Sequence, residues 1–146
     1  MTKLINALIA EHRACDDEFA LAEKAVADQE WTKAAELCRH FVQSMECHLR
    51  HEEEVLFPAF EERTGMTSGP TRVMRMEHED MRQLFHDMEE SIKNKDREGY
   101  LGQSETLLIL MQQHNMKEEN ILYPMVQNAL RADQDNILAK IKSIAV

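Results

Sequence analysis

The sequence predicts an all-α fold, an antiparallel up-down-up-down four-helix bundle with a short C-terminal helix, built from a duplicated helical hairpin. Three observations predict it. Gly and Pro are scarce, at four and three residues of 146, while Ala, Leu, Met, Glu, Gln and Lys abound; these residues lose least on entering a helix. Apolar residues recur at three- and four-residue spacings over long stretches, the period of a one-sided helix. Finally, a phrase is used twice: His48-x-x-x-Glu52-Glu53-x-x-Leu56-Phe57-Pro58 returns, offset by 66, as His114-x-x-x-Glu118-Glu119-x-x-Leu122-Tyr123-Pro124. The same offset carries Glu11-His12 onto Glu77-His78, Phe19 onto Phe85, Phe41 onto Leu107 and Met45 onto Met111.

The first helix runs from about Thr2 to the Asp28-Gln29 region, with Ile5, Leu8, His12, Cys15, Phe19 and Ala22 on one stripe. The second starts near Trp31 or Thr32 and ends at Gly65, a left-handed cap, with Leu37, Phe41, Met45, His48, Glu52 and Val55 or Leu56 facing inward. Ser68-Gly69-Pro70 is a turn with Pro at the first helical position. The third helix then presents Met74, His78, Met81, Phe85, Met88 and Ile92 and closes in the polar run Lys93 to Gly99. The fourth carries Leu107, Leu110 or Met111, His114, Glu118, Ile121 or Leu122, and Met125. A last segment from about Asp133 to Ile144 reads as a short docking helix. Pro58 and Pro124 fall within helices two and four, each six residues past the inward Glu. Apolar residues continue beyond both, so kinks are expected rather than helix ends.

At 17.0 kDa, residues 1–146 are expected to form one domain with a real core. The balance of 17 basic against 27 acidic residues leaves a net charge of −10 and a pI of about 5.1, which argues against nucleic acid and anionic membranes as partners. The apolar stretch from Leu4 to Ala10 is interrupted at once by Glu11, His12 and Arg13 and is too short for a signal peptide or membrane span. Cys15, Cys38 and Cys47 are odd in number and lack C-x-x-C spacing, so free thiols in a reducing cytoplasm are expected. Cys15, on the apolar stripe, reads as a small core residue.

Within this frame the inward polar residues demand an explanation. A His and a Glu four apart share one helix face. His12 and His48 each lie about 18 residues from the first turn, near position 30, and His78 and His114 each about 18 from the second, near position 96. At 1.5 Å per residue all four stand at one depth, with Glu52 and Glu118 beside them. A lone inward His is more often a hydrogen-bonded core residue, and a lone inward Glu more often snorkels to solvent. Burying four imidazoles and two carboxylates in one apolar layer is different, because it costs many kcal/mol unless cations satisfy them. Such a set suits a pair of transition-metal ions. His40 and His86 sit two turns from His48 and His78, and His51 lies on the flank of its helix, so all three read as solvated surface. Glu11, Glu53, Glu77 and Glu119 adjoin the candidates as either outer partners of the ligands or surface charges.

The run H-L-R-H-E-E-E-V-L-F-P from His48, its echo H-N-M-K-E-E-N-I-L-Y-P from His114, and the E-H pairs at His12 and His78 resemble the hemerythrin-like (HHE cation-binding) domain over essentially the whole chain. The resemblance implies a non-haem di-iron centre, one iron bound by His12 and His48, the other by His78 and His114, with Glu52 and Glu118 bridging. Oxygen-carrying hemerythrins have a further His one turn beyond the third-helix ligand, where this chain has Arg82; the iron-repair members of the superfamily manage with four His and two Glu. Two six-coordinate irons present twelve places, of which four imidazoles, two bridging carboxylates and an oxo or hydroxo bridge fill ten, leaving two open. Two ferrous ions against two carboxylates also retain a charge of about +2, unlike a four-carboxylate site of the ferritin-like kind. Retained charge favours binding of O₂ or NO, or iron exchange, over oxygenation of a hydrocarbon. Iron itself follows from the resemblance, since affinity order alone favours copper or zinc.

Three functional classes remain open at this point. The first is a small-ligand module, a sensor, buffer or iron-handling protein that takes O₂ or NO. The second is an iron-centre repair factor or a redox enzyme reducing nitric oxide or peroxide, and the third a structural bundle with an incidental metal.

Overall fold

The computed structural model describes residues 2–144. Among them are five helical runs and no strand. The first is α1 (Lys3–Ala27). In the second, α2 (Trp31–Arg50), a π-helical segment π1 (His51–Leu56) and α3 (Phe57–Thr64) are continuous. α4 (Pro70–Lys93) forms the third. The fourth joins α5 (Arg97–Lys117), a second π-helical segment π2 (Glu118–Leu122) and α6 (Tyr123–Ala129), and α7 (Gln134–Lys142) is the fifth. α1 packs along α2 and α4 along α5, while α2 meets α4 and α1 meets α5, giving an all-helical bundle. α7 docks on α1 and π1.

The expected punctuation is present. The Thr2 hydroxyl accepts the Ile5 amide at 3.4 Å, Gly65 closes α3 in the left-handed region (φ 73°), and Pro70 opens α4. Duplication extends into the turns. Gln29 and Lys95, again 66 apart, both adopt positive φ (56° and 53°). After them the amides of Glu30 and Asp96 return to the carbonyls of Ala25 (2.9 Å) and Ser91 (2.7 Å), which satisfies helix-end carbonyls in the same way twice.

Neither inner proline ends its helix. Pro58 and Pro124 have no N–H to offer the carbonyl four residues back. The disturbance is taken up as a widened turn, with the Phe57 amide donating to the Glu52 carbonyl and the Tyr123 amide to the Glu118 carbonyl, five residues apart. One residue is thereby inserted into the helical count, and the faces downstream rotate. The buried positions become Leu56, Phe57 and Phe60 in one half and Leu122, Tyr123 and Val126 in the other. Met125, expected to face inward, is only half-buried, because the 3.6-residue period does not survive the π turn.

Two apolar cores flank the polar layer. One is centred on the edge-to-face rings of Phe19, Phe41 and Phe85, with centroids 5.6 and 5.8 Å apart, a favourable aromatic geometry. The other gathers Leu4, Ile5, Leu8, Leu56, Phe57 and Phe60, capped by Ile137 and Ile141 of α7. His12 lies between Leu8 of one core and Cys15 of the other, so the site is built across the middle of the bundle. Cys15, Cys38 and Cys47 are free and buried.

Candidate metal centre

All six predicted residues meet in the layer between the cores. His12, His48, His78 and His114 are at most 4% exposed, and Glu52 and Glu118 are fully buried. Each Glu reaches across the hairpins. A Glu52 oxygen lies 3.5 Å from His48 Nε2 on its own helix and 3.1 Å from His78 Nε2 on the other hairpin. Glu118 stands 3.3 Å from His114 Nε2 and 3.0 Å from His12 Nε2. Two tetrads result, His12–His48–Glu52–Glu118 and Glu52–His78–His114–Glu118, each with its ligand atoms within 4.8 Å of one another. Both carboxylates belong to both tetrads.

The imidazoles are oriented from behind. His12 Nδ1 is 2.7 Å from Glu119, His48 Nδ1 2.7 Å from Glu11, His78 Nδ1 2.7 Å from Glu53, and His114 Nδ1 2.8 Å from Glu77. An ionised carboxylate only accepts, so each Nδ1 carries a proton and each Nε2 faces into the layer. The four glutamates that the sequence left between outer partner and surface charge are therefore outer partners. His12 and His78 receive theirs from the opposite hairpin. Inside the layer, His48 Nε2, His78 Nε2, His114 Nε2, Glu52 Oε1 and Glu118 Oε2 are buried without a hydrogen-bond partner. Buried polar atoms are rarely left so, and this set of nitrogens and oxygens fits divalent cations of the imidazole-binding kind.

Protonation in the cation-free chain points the same way. Burial alone would depress the His12 and His78 pKa values. The Glu118 carboxylate, 3.0 Å from Nε2, outweighs it for His12, and the Glu52 and Glu53 carboxylates beside the two ring nitrogens outweigh it for His78, so both rise to about 9. Burial and the Glu118 charge push Glu52 up. For Glu118, burial is overcome by the neighbouring Glu52, His114 and His12 side chains, which hold it well below the usual range.

One expectation needs correcting. His51 is not solvated surface: it is 6% exposed, with Nδ1 2.8 Å from Glu11 and Nε2 3.4 Å from Cys47 Sγ. The helical stripe placed it on a flank, and what covers that flank is α7, an element distant in sequence. His51 thus holds Glu11, which holds His48. Replacing His51 by Ala is expected to cost about 1–3 kcal/mol through the unpaired buried group while leaving metal stoichiometry unchanged; thermal melts and metal analysis of one preparation check both halves. His40 and His86 are exposed, as expected.

A family model described as the hemerythrin HHE cation-binding domain matches residues 3–126. The chain belongs to the hemerythrin HHE cation-binding family. No curated protein and no solved structure matches it. Two further residues border the buried layer of this hemerythrin-like domain. Arg82, at the place of the oxygen carriers' extra His, turns outward, its guanidinium 2.8 Å from Glu53 and 3.0 Å from Glu46. It clamps the carboxylate that orients His78. Tyr123 was not singled out from the sequence. Its ring stacks on His12 at 5.7 Å and its hydroxyl donates to Glu52 at 2.6 Å, with Glu118 and His12 Nε2 each at 3.3 Å. The equivalent Phe57 stacks on His78 at 5.7 Å without a hydroxyl. The change from L-F-P to L-Y-P between the two phrases was the available signal, and the π turn is what aims it inward.

Proposed function

We propose that this domain, residues 1–146 folded as an up-down-up-down four-helix bundle, holds two iron ions. His12 and His48 bind one, His78 and His114 the other, and Glu52 and Glu118 bridge them. It takes O₂ or NO there as a sensor, buffer or iron-handling protein. The observation that carries the reading is the set of five buried nitrogen and oxygen atoms, aimed into one layer from three helical runs and left unpaired. Bound iron supplies the open coordination positions and the electrons for a diatomic ligand. The chain supplies neutral imidazoles locked by carboxylates, two carboxylates shared between the ions, and apolar cores on both sides that exclude water. Family membership supports a cation; iron in particular rests on the resemblance to di-iron members of the family, and the diatomic ligand on the retained positive charge of the six-residue set. Protein expressed in iron-replete cells should contain about 2 irons per chain, absorb in the near ultraviolet by ligand-to-metal charge transfer, and change spectrum on adding NO to the reduced form. The reduced form should be oxidised within minutes in air-saturated buffer. Finding zinc alone, or no response to either gas, contradicts the reading.

A redox enzyme that reduces nitric oxide or peroxide is the second reading, and Tyr123 favours it. Its hydroxyl is the one side-chain O–H among the described residues that reaches both shared carboxylates, so it would hold a proton beside the atoms that bind the metal. Turnover with an electron donor that falls about tenfold in Tyr123→Phe, with metal content and NO binding intact, supports this reading. Absence of turnover in the parent protein removes it.

A further inference from the structure

The two halves repeat in sequence, but their surroundings differ. Three of the four carboxylates behind the ligand imidazoles are themselves held by a cation or a proton donor: Glu11 by His51 at 2.8 Å, Glu53 by Arg82 at 2.8 Å, and Glu77 by Lys117. The fourth, Glu119 behind His12, has no such partner among the described residues. The 66-residue offset makes the contrast exact in position, because the residue matching Arg82 is Asp16, an acid that can only repel Glu119. Asp16, Glu119 and His12 line a surface cavity of about 340 Å³. Arg13 lines it too but makes no ion pair with Glu119. A second cavity, of about 170 Å³, is lined by His48 with Glu11 and Cys47.

The roofs differ in the same sense. Over His78 lies the apolar ring of Phe57, itself covered by the Arg75 guanidinium at 5.4 Å, and Arg75 is tied to Glu61 at 3.1 Å. Over His12 lies Tyr123, whose hydroxyl competes for the shared carboxylates. His78 and His114 are 0% and 1% exposed, His12 and His48 4% and 3%.

We infer that the two metal positions are unequal: the ion held by His12 and His48 exchanges with solvent through the opening beside Asp16 and Glu119, while the ion held by His78 and His114 is retained. The inference rests on the two-ion reading above. His12 is the ligand whose orienting carboxylate is free to swing, so it is the ligand that lets go. The acidic mouth concentrates divalent cations at that corner and gives the ion a first partner on the way in or out.

The test is release of ferrous iron from the reduced, fully loaded protein to a chromophoric chelator, followed with time. Two phases of one ion each are expected, the first about tenfold or more faster, the scale on which an orienting partner acts. Asp16→Arg, on an exposed position, installs the clamp that Arg82 provides in the other half and should slow the fast phase several-fold with both ions still bound. Arg82→Asp should quicken the slow phase; where that variant fails to fold, Arg82→Met serves by removing the clamp without adding an acid. Release of both ions in one phase, or a fast phase indifferent to Asp16→Arg, overturns the inference. A loaded protein with fewer than two ions instead overturns the two-ion reading before release is measured.

Discussion

Glu52→Ala is expected to lose both ions at once, as is Glu118→Ala. Each carboxylate contacts an imidazole from each hairpin, Glu52 at 3.5 and 3.1 Å and Glu118 at 3.3 and 3.0 Å, so truncating either removes a ligand from both tetrads together. One carboxylate is then left where two offset the charge of a pair of divalent ions. Metal content should fall from about two ions per chain to about none, a loss larger than the 10- to 100-fold that outer partners carry. The fold should survive as a weakened bundle, because the apolar cores around Phe41 and around Leu8 do not pass through the carboxylates. Elemental analysis after gel filtration, beside a melt by circular dichroism, separates loss of metal from loss of fold. His51→Ala is the matched control. It removes a buried side chain on the adjoining turn and should keep both ions. A Glu52→Ala protein that retains one tightly held ion would show that the carboxylates serve the two positions separately.

The six residues of the buried layer were legible because three independent regularities agreed on them: the stripe, the repeat and the equal distances of four histidines from two turns. None of these depends on a distant element. His51 escaped because its burial is made by α7, which no pattern within its own helix can announce. Tyr123 escaped for a different reason. A helical wheel drawn from Glu118 carries the inward face to Met125, and the π turn that Pro124 forces moves it to Leu122, Tyr123 and Val126. The proline was visible and its effect on register was not, since a missing N–H can be absorbed as a kink, an end or a widened turn. Arg82 was read from the sequence as the place of a missing ligand, but its attachment to Glu53 required the outer carboxylates to be placed first. Those glutamates stayed ambiguous in sequence because two of the four serve the opposite hairpin.

Removing the metal should destabilise the protein in a way that grows with pH. In the cation-free chain the His12 and His78 pKa values rise from 6.5 to about 9, since the buried carboxylates outweigh the burial that opposes their charge. A group whose folded value exceeds its unfolded one stabilises fully below the unfolded value and loses that contribution as pH rises through the folded value. The window is therefore pH 6.5 to about 9, and stability falls across it. Glu52, raised by burial and by Glu118, has the same sign. At the acid end, Glu11 and Glu53 act oppositely. Burial opposes their ionisation, but hydrogen bonds from His48 and His51 to Glu11, and from His78 and Arg82 to Glu53, bring both down to about 2. Their contribution is present above about 4.5 and lost as pH falls toward 2. Metal-free protein should thus be most stable near pH 5 to 6 and lose roughly 5–10 °C in melting temperature by pH 9. Loaded protein should show the reverse trend over that window, because binding requires the imidazoles neutral and so strengthens as protons leave. The gap between the two melting curves should widen from pH 6 to pH 9, and loading at pH 7 should release protons, measurable as a buffer-dependent heat of binding. Metal-free protein whose melting temperature holds steady or rises between pH 6.5 and 9 would mean that protons do not hold the empty site together, and that the unpaired atoms in the layer are satisfied by some other means.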